Sequence, residues 1–539
     1  MRRHVLYSAM LLAGLPHVAS AQQEGKALYD KWCAGCHGVD GKGAGPAATW
    51  MLPRPRDFTT ALYQIRTTAS GQLPTDADIR RIIDEGMPGT AMPGWKTLLS
   101  EAERDQLVTY LKSFSQFFKN QKEPEKALAF SKEPGGGDEA IANGKTFYDK
   151  IECWKCHGRA GRGDGPSAPT QEDDNKHPIR PADLTESWYF NGGGTVEDIY
   201  RRLRTGLDGT PMPSFSDLID SKFMTEDDLW NVAQYVRSLS PEDPPRVRDV
   251  VRAPEIQGNL PTTPADSAWN AAERFYIPLV GQIVLKPRWF APTVDGVWVQ
   301  ALHNGQELAL RLTWHDPSKS PDPAWNEWQQ RVTAFMEPHE SPGDAPASRP
   351  ATEAGTPNAP AAAPAPQVPA TPGGLPDMLV VQFPKTIPTG MEKPYFLMGT
   401  SSKPVYLWKW QSDTNAGVEA TGKGFGNMQP FPSSQLTGTA AFDQGEWSLV
   451  LRRPLASADS VERLSFRPGI AIPMAVFAWD GNNGEGGTRG SISTWYYIYL
   501  DQKTPKTVYA TPLATIALTA GLGLLFVRNA QKKKKDEEK

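Results

Sequence analysis

The sequence predicts a multidomain protein: two small all-α domains in tandem, one antiparallel β-sandwich, and one C-terminal transmembrane helix. Three observations carry this reading. A short cysteine–histidine pattern occurs twice, CAGCH at 33–37 and CWKCH at 153–157, and uses all four cysteines. After about residue 245 the texture changes to short runs rich in Val, Trp and Tyr, separated by turns. Near the end, Val508 to Val527 carries no charge, enough for one spanning helix. A chain of 539 residues should hold about three or four domains, and its net charge of −4 gives no global attraction to nucleic acid.

The first residues set the compartment. MRRH is a short basic start, VLYSAMLLAGL is an apolar core too short to span, and VASAQQ offers an A-x-A cleavage site at Ala19 and Ala21. Residues 1–21 therefore read as a secretory signal peptide. Exported chains often use cysteines for disulfides. A disulfide framework, however, does not require His directly after the second Cys of each pair.

C-x-x-C-H is the pattern of covalent haem attachment. Each thiol adds across a haem vinyl group, and the adjacent His gives an axial nitrogen to the iron. Alone the pattern leaves zinc or thioredoxin-like readings open; the surroundings decide. Cys33, Cys36 and His37 align with Cys153, Cys156 and His157 at an offset of 120. The turns GVDGKGAGP and GRAGRGDGP follow, then GMPGTAMPGW and GLDGTPMPSF. Fifty-five residues separate His37 from Met92, and the same number separate His157 from Met212. A thioether suits the sixth position of haem iron and raises its potential. Met87 is a rival to Met92, but its repeat partner is Leu207, so packing is its expected role.

Helices frame each repeat. EGKALYDKWCAGC and NGKTFYDKIECWKC lead into the cysteines as amphipathic helices. SEAERDQLVTYLKSF and TEDDLWNVAQYVRSL close the domains, each starting on Ser or Thr before acidic residues. Over about residues 22–243 both modules resemble class I cytochrome c domains, placed at 22–120 and 138–243. Two covalent haem c groups are expected, on Cys33, Cys36, Cys153 and Cys156, with His37, Met92, His157 and Met212 as iron ligands.

Residues 250–505 read as the sandwich. A Pro/Ala-rich stretch at 341–374 cannot build a core and reads as an insertion between strands. The pieces ALHNGQELALRLTWHDP, FLMGTSSKPVYLWKW and AVFAWDGNNGEGG…STWYYIYL resemble the haem-binding gamma subunit of ethylbenzene dehydrogenase, dimethylsulfide dehydrogenase and nitrite oxidoreductase. That resemblance implies one non-covalent haem b held between a Met and a Lys. Met398 takes the Met place. Near the Lys place stand Arg489 and Gly490, and a guanidinium offers iron no lone pair. Lys403 or Lys423 could substitute; spacing favours neither. His303 and His315 could ligate, since imidazole is a common ligand, but turn and surface roles are expected, and His177 is expected in solvent.

Residues 507–528 form the expected transmembrane helix. The KKKK at 532–535 places the tail, 529–539, in the cytoplasm and the body outside it. The function expected is electron transfer in a respiratory assembly by a periplasmic, membrane-anchored subunit without an activity of its own. The gamma-subunit resemblance implies a molybdenum oxidoreductase as partner. A quinol-oxidising complex or terminal oxidase is an equal candidate, with soluble cytochrome c or a small copper protein as mobile carrier. Two other readings compete. The sandwich could be a haem-free docking module. The pair could instead be a dihaem peroxidase, which needs one open iron site and fits poorly with two identical His–Met spacings.

Overall fold

A computed structural model describes residues 15–336, 374–502 except 389, 391, 458 and 460, and 507–538. Residues 1–14, which hold the basic start of the leader, lie outside it, as do 337–373, which hold almost all of the Pro/Ala-rich stretch.

The first haem-type domain contains α1 (Leu15–Trp32), the single turn α2 (Ala34–His37), α3 (Asp76–Glu85) and α4 (Glu101–Lys112). The second repeats them as α5 (Asp138–Lys150), α6 (Trp154–His157), α7 (Val196–Thr205) and α8 (Glu226–Ser238). The closing helices start where the sequence says. Ser100 and Thr225 each accept from the backbone N–H three residues on, and Glu103 and Asp228 return the bond as capping boxes. The entry and closing helices cross at glycines. A Cβ on Gly25 would lie 2.4 Å from Gln106 O, and one on Gly144 only 2.0 Å from Asn231 O. No side chain fits either crossing.

The sandwich has two sheets. One runs β1 (Val250–Ala253), β14 (Tyr496–Leu500), β12 (Ala471–Trp479), β6 (Met378–Pro384), β7 (Val405–Gln411), β8 (Ala416–Gly422) and β9 (Met428–Pro430); β13 (Ser491–Ile492) and β3 (Val280–Gly281) pair beside β12. The other runs β10 (Thr437–Asp443), β11 (Glu446–Pro454), β5 (Glu307–His315), β4 (Gly296–His303) and β2 (Phe275–Pro278). Pairing is antiparallel except between β1 and β14, which run parallel. The difference arises because β1 enters from the second haem domain and adds to the sheet edge without a hairpin. Alternation builds the core: Val297, Val299 and Ala301 of β4 and Leu308, Leu310 and Leu312 of β5 meet Leu379, Val381 and Phe383 of β6 and Trp408 of β7, all fully buried. Helix α9 (Pro323–Met336) covers one end with Trp325 and Trp328.

Helix α10 (Thr507–Glu537) is long and apolar enough to cross a membrane. Its Leu513, Ile516, Leu518, Leu522, Leu524 and Phe526 all stand exposed.

Candidate haem sites

Each C-x-x-C-H forms a single helical turn. His37 N–H donates to Cys33 O (2.9 Å), and His157 N–H to Cys153 O (2.9 Å), so both thiols and the imidazole stand on one tight loop. The glycine-rich segment then folds back onto that turn. Gly43 and Gly45 donate to His37 O and Cys36 O (2.9 and 3.0 Å); Gly163 and Gly165 donate to His157 O and Cys156 O (2.9 and 3.2 Å). A Cβ at Gly45 would fall 2.5 Å from Gly35 O, and at Gly165 2.3 Å from Lys155 O, which is why these glycines repeat. Tyr29 and Tyr148 brace the turns, each donating to the next glycine carbonyl (Gly38 O and Gly158 O, both 2.6 Å).

The imidazoles are oriented in the same way. His37 Nδ1 lies 2.9 Å from Arg56 O, and His157 Nδ1 lies 3.0 Å from Ala182 O. A carbonyl only accepts, so Nδ1 carries the proton and Nε2 keeps its lone pair for a metal. Burial holds both imidazoles below the usual histidine range, which favours the neutral, ligating form. Burial also pushes the Cys33 and Cys153 thiols up to about 12, and all four cysteines are free of disulfides.

The methionine loops match in detail. Met92 N–H donates to Thr90 Oγ1 (3.1 Å), and Met212 N–H to Thr210 Oγ1 (3.2 Å). Met87 N–H closes the first loop on Met92 O (3.0 Å), and Leu207 N–H closes the second on Met212 O (3.1 Å). Met87 thus serves its loop through a backbone group that any residue supplies. Two buried donors in the first domain, Tyr63 Oη and Trp95 Nε1, have no protein partner. They fit an acceptor such as a porphyrin carboxylate. With paired thiols, a tautomer-locked imidazole and a matching thioether loop, the residues present fit one haem c in each domain.

Met398 lies elsewhere. It is fully buried, with a positive φ of 56°, on the outer face of the larger sheet in a cluster with Leu397, Leu407, Phe425, Phe477 and Trp479. Phe425 stacks on Trp479 at 5.6 Å. This neighbourhood is closed and packed, so it does not fit a haem as it stands. The Arg489 guanidinium lies 5.7 Å over the Trp289 ring. Lys403 pairs with Glu392 at the surface, whereas Lys423 adjoins Gly424, whose N–H donates to Met398 O (2.9 Å).

The histidines outside the repeats correct the sequence expectation. His303 is buried in β4, its Nε2 2.8 Å from Asp501 O, because the HNG turn begins only after it. His177 is half-buried, 3.2 Å from Asp173 and against the Phe335 ring. His315 joins the second haem domain to the sandwich. Its Nδ1 lies 2.7 Å from Asp183 and 3.7 Å from Glu186, and its Nε2 lies 3.7 Å from Glu446. Asp183 directly follows Ala182, the residue that orients His157.

This junction should respond to pH. Burial opposes the charge on His315, but the hydrogen bond to Asp183 and the charges of Asp183 and Glu186 win, and its pKa is raised. Burial, then Asp295, pushes Glu186 up to about 8; burial chiefly pushes Asp295 up to about 6. Groups with raised folded values stabilise fully below their unfolded values and lose that stabilisation as pH climbs through the folded ones. Asp183 acts oppositely: burial raises it, but His315 and Thr185 hold it below the usual range, so its contribution is lost in acid. Arg162 also faces this group, through Glu446 at 3.1 Å. Thermal unfolding of the full protein should therefore show a weaker junction at about pH 9 than at about pH 6. His315→Gln should flatten that difference; an unchanged slope would remove His315 from the account.

The two haem-type domains dock through their methionine loops. Arg66 of the first domain, fully buried, reaches Asp208 (2.7 Å) and Thr205 O (2.7 Å) in the second. Ser70 Oγ and the Gly71 N–H also donate to Asp208 (2.9 Å each). In return, a Cβ on Gly89 would lie 2.5 Å from Tyr189 O. Each loop therefore packs against the other domain.

This geometry defines a c-type cytochrome with two tandem haem domains carried on a β-sandwich. Family models agree: "Cytochrome C oxidase, cbb3-type, subunit III" matches residues 20–111, "Cytochrome c" matches 141–240, and "Ethylbenzene dehydrogenase" matches 266–435. The chain belongs to the cytochrome c family, and its second half is an ethylbenzene-dehydrogenase-type domain like that of the gamma subunits. It is 35% identical over 107 residues to cytochrome c55X of Paracoccus denitrificans, covering 20% of this chain and 86% of that one. It is 24% identical over 274 residues to a candidate respiratory nitrate reductase haem subunit of Haloferax mediterranei, covering 50% and 81%. A chain of the reducing HAO-like protein complex of Kuenenia stuttgartiensis is 47% identical, covering 40% and 96%, with a TM-score of 0.38. The protein is thus a multihaem cytochrome c related to electron-transfer subunits of oxidoreductases.

Proposed function

We propose that the chain is a membrane-anchored electron-transfer subunit of a respiratory assembly, with its bulk on the periplasmic side and its lysine-rich tail in the cytoplasm. The observation that carries this reading is the docked pair of matching Met loops. Haem supplies a one-electron iron couple. The chain supplies four thiols for attachment, His37 and His157 locked with Nε2 free, and Met92 and Met212 to fill the sixth positions. A haem held in this way would have both axial positions filled and would exchange electrons without binding substrate; the two equal His–Met spacings weigh against a dihaem peroxidase, which needs an open site. Arg66, Ser70 and Gly71 hold the second loop against the first domain, which keeps the two centres in one unit. Helix α10 would keep that unit beside membrane partners. A respiratory reductase is the partner class that the Haloferax relative and the gamma-type sandwich support. A molybdenum oxidoreductase, a quinol-oxidising complex or a terminal oxidase would satisfy the same chemistry, with soluble cytochrome c or a copper protein as carrier.

The closed packing of Met398 favours a sandwich that docks and scaffolds over one that carries a haem b. A pyridine haemochrome assay on the full-length protein, with acid–acetone extraction, separates these. Two covalent haems and no extractable haem are expected. One extractable haem b would make the sandwich a third centre and direct the search for its second ligand to Lys423. Fewer than two covalent haems would overturn the dihaem reading.

A further inference from the structure

Away from the haem domains, three aspartates converge inside the sandwich. Asp316 follows β5, Asp377 precedes β6 and Asp480 follows β12; all three are fully buried. One carboxylate oxygen of each lies within 4.8 Å of the other two. Several of their oxygens are satisfied. Asp377 accepts from Ser320 N–H (2.7 Å), Gly481 N–H (3.0 Å) and Trp447 Nε1 (3.2 Å). Asp480 Oδ1 accepts from Asn482 N–H (2.8 Å), Asn483 N–H (3.2 Å) and Ser320 Oγ (3.3 Å). Asp316 Oδ1 accepts from Ser318 N–H (3.1 Å). Two buried oxygens, Asp316 Oδ2 and Asp480 Oδ2, have no hydrogen-bond partner.

The charge does not balance. Among the described residues, the ion pair that reaches the cluster is Arg180, whose Nη2 stays 3.7 Å from Asp480 Oδ2. Its guanidinium donates instead to Thr293 Oγ1 (2.8 Å) and Asn483 Oδ1 (3.0 Å). Glu485, also buried, adds a fourth carboxylate, accepting from Asp480 N–H (3.1 Å). Burying unpaired carboxylates is costly unless protons or a cation neutralise them. Burial and then the charges of Asp480 and Asp377 push Asp316 well above the ordinary carboxylate range, which is the strain a cation would remove.

We propose that Asp316, Asp377 and Asp480 form a structural calcium site that fastens three strand ends of the sandwich. The donors are all oxygen, which selects a hard cation over zinc or copper. Calcium takes such oxygens, with water or carbonyls completing its shell, in flexible geometry, whereas magnesium demands a near-ideal octahedron at shorter distances. The site stands behind the docking face: Asp316 follows His315, which holds Asp183, and Asn483 of the Asp480 loop holds Arg180. The cation would therefore stiffen the surface on which the second haem domain rests.

The test uses full-length, haem-loaded protein in detergent, with calcium itself as probe. Metal analysis after gel filtration should find about one calcium per chain, and EDTA should remove it. Thermal unfolding followed by tryptophan fluorescence should rise by about 5 °C or more from EDTA to about 1 mM calcium, with the haem count unchanged. Asp316→Asn should lose both the metal and the shift. If that variant does not fold, the comparison with and without calcium on the wild type carries the test. Wild type holding less than about 0.1 calcium per chain in calcium buffer, with no thermal shift, overturns the proposal. So does stability that rises as pH falls below about 7 with no response to calcium, because protons would then be holding the cluster.

Discussion

Met92→Ala and Met212→Ala should each abolish one low-spin Met/His signature and lower one haem potential by about 0.1 V or more, a fraction of the ~0.8 V over which axial ligands move haem potentials. Both variants should keep two covalent haems, because attachment depends on the thiols at 33, 36, 153 and 156. The effect should be separable by domain, since each Met loop closes on its own backbone through Thr90 or Thr210. Met87→Ala should leave both signatures in place. Its N–H bond to Met92 O survives the substitution, and Leu207 fills the same place in the second loop without sulfur. Redox titration with spectra at each potential is the measurement. A shift on Met87→Ala with none on Met92→Ala would break the equivalence of the two loops.

What could be read from the sequence follows from where the physics is local. The C-x-x-C-H turns, the returning glycines and the Ser100 and Thr225 caps are decided by residues within a few positions of one another, so the repeat exposes them. Alternating apolar residues in β4, β5 and β7 report a buried face, and they meet across the two sheets as expected. The partner of a buried polar group is a different matter. Arg56 O and Ala182 O orient the imidazoles through backbone atoms, which residue identity does not reveal. Arg66, His315 and Arg180 look like ordinary charged residues and become interdomain contacts only once the domains dock. His303 looked like a turn residue because its neighbours Asn304 and Gly305 are turn residues, yet β4 runs one position further and buries it. Asp316, Asp377 and Asp480 are far apart in the chain, and nothing local marks them as one cluster.

Removing the Arg66 guanidinium should have the largest effect on the coupling of the two haem domains. Arg66 has no exposed surface, and burial alone disfavours its charge. Asp208 and the Thr205 carbonyl across the junction, with the Tyr63 and Ala69 carbonyls of its own domain, make that position tolerable. Breaking a buried pair by deleting one partner costs about 3–5 kcal/mol, because the remaining charge stays uncompensated. Here the lower end is expected: Asp208 keeps the Ser70 hydroxyl and the Gly71 N–H, and it reaches solvent at one edge. Arg66→Met should therefore destabilise the docked pair by about 3 kcal/mol. The Met212 loop should loosen, because Asp208 lies within it, so the second haem should lose Met ligation more readily on warming than the first. Asp208→Asn should cost at least as much: Ser70 and Gly71 meet different carboxylate oxygens, so the single amide oxygen keeps only one of them, and the buried Arg66 charge loses its counter-ion. The double variant should cost less than the two singles combined, which a double-mutant cycle measures. Additive losses, with Met212 ligation as durable as in the wild type, would mean that the Arg66 pair is incidental and that the other contacts, such as Arg81 with Asp198 and Ile65 against Gly192, hold the two domains together.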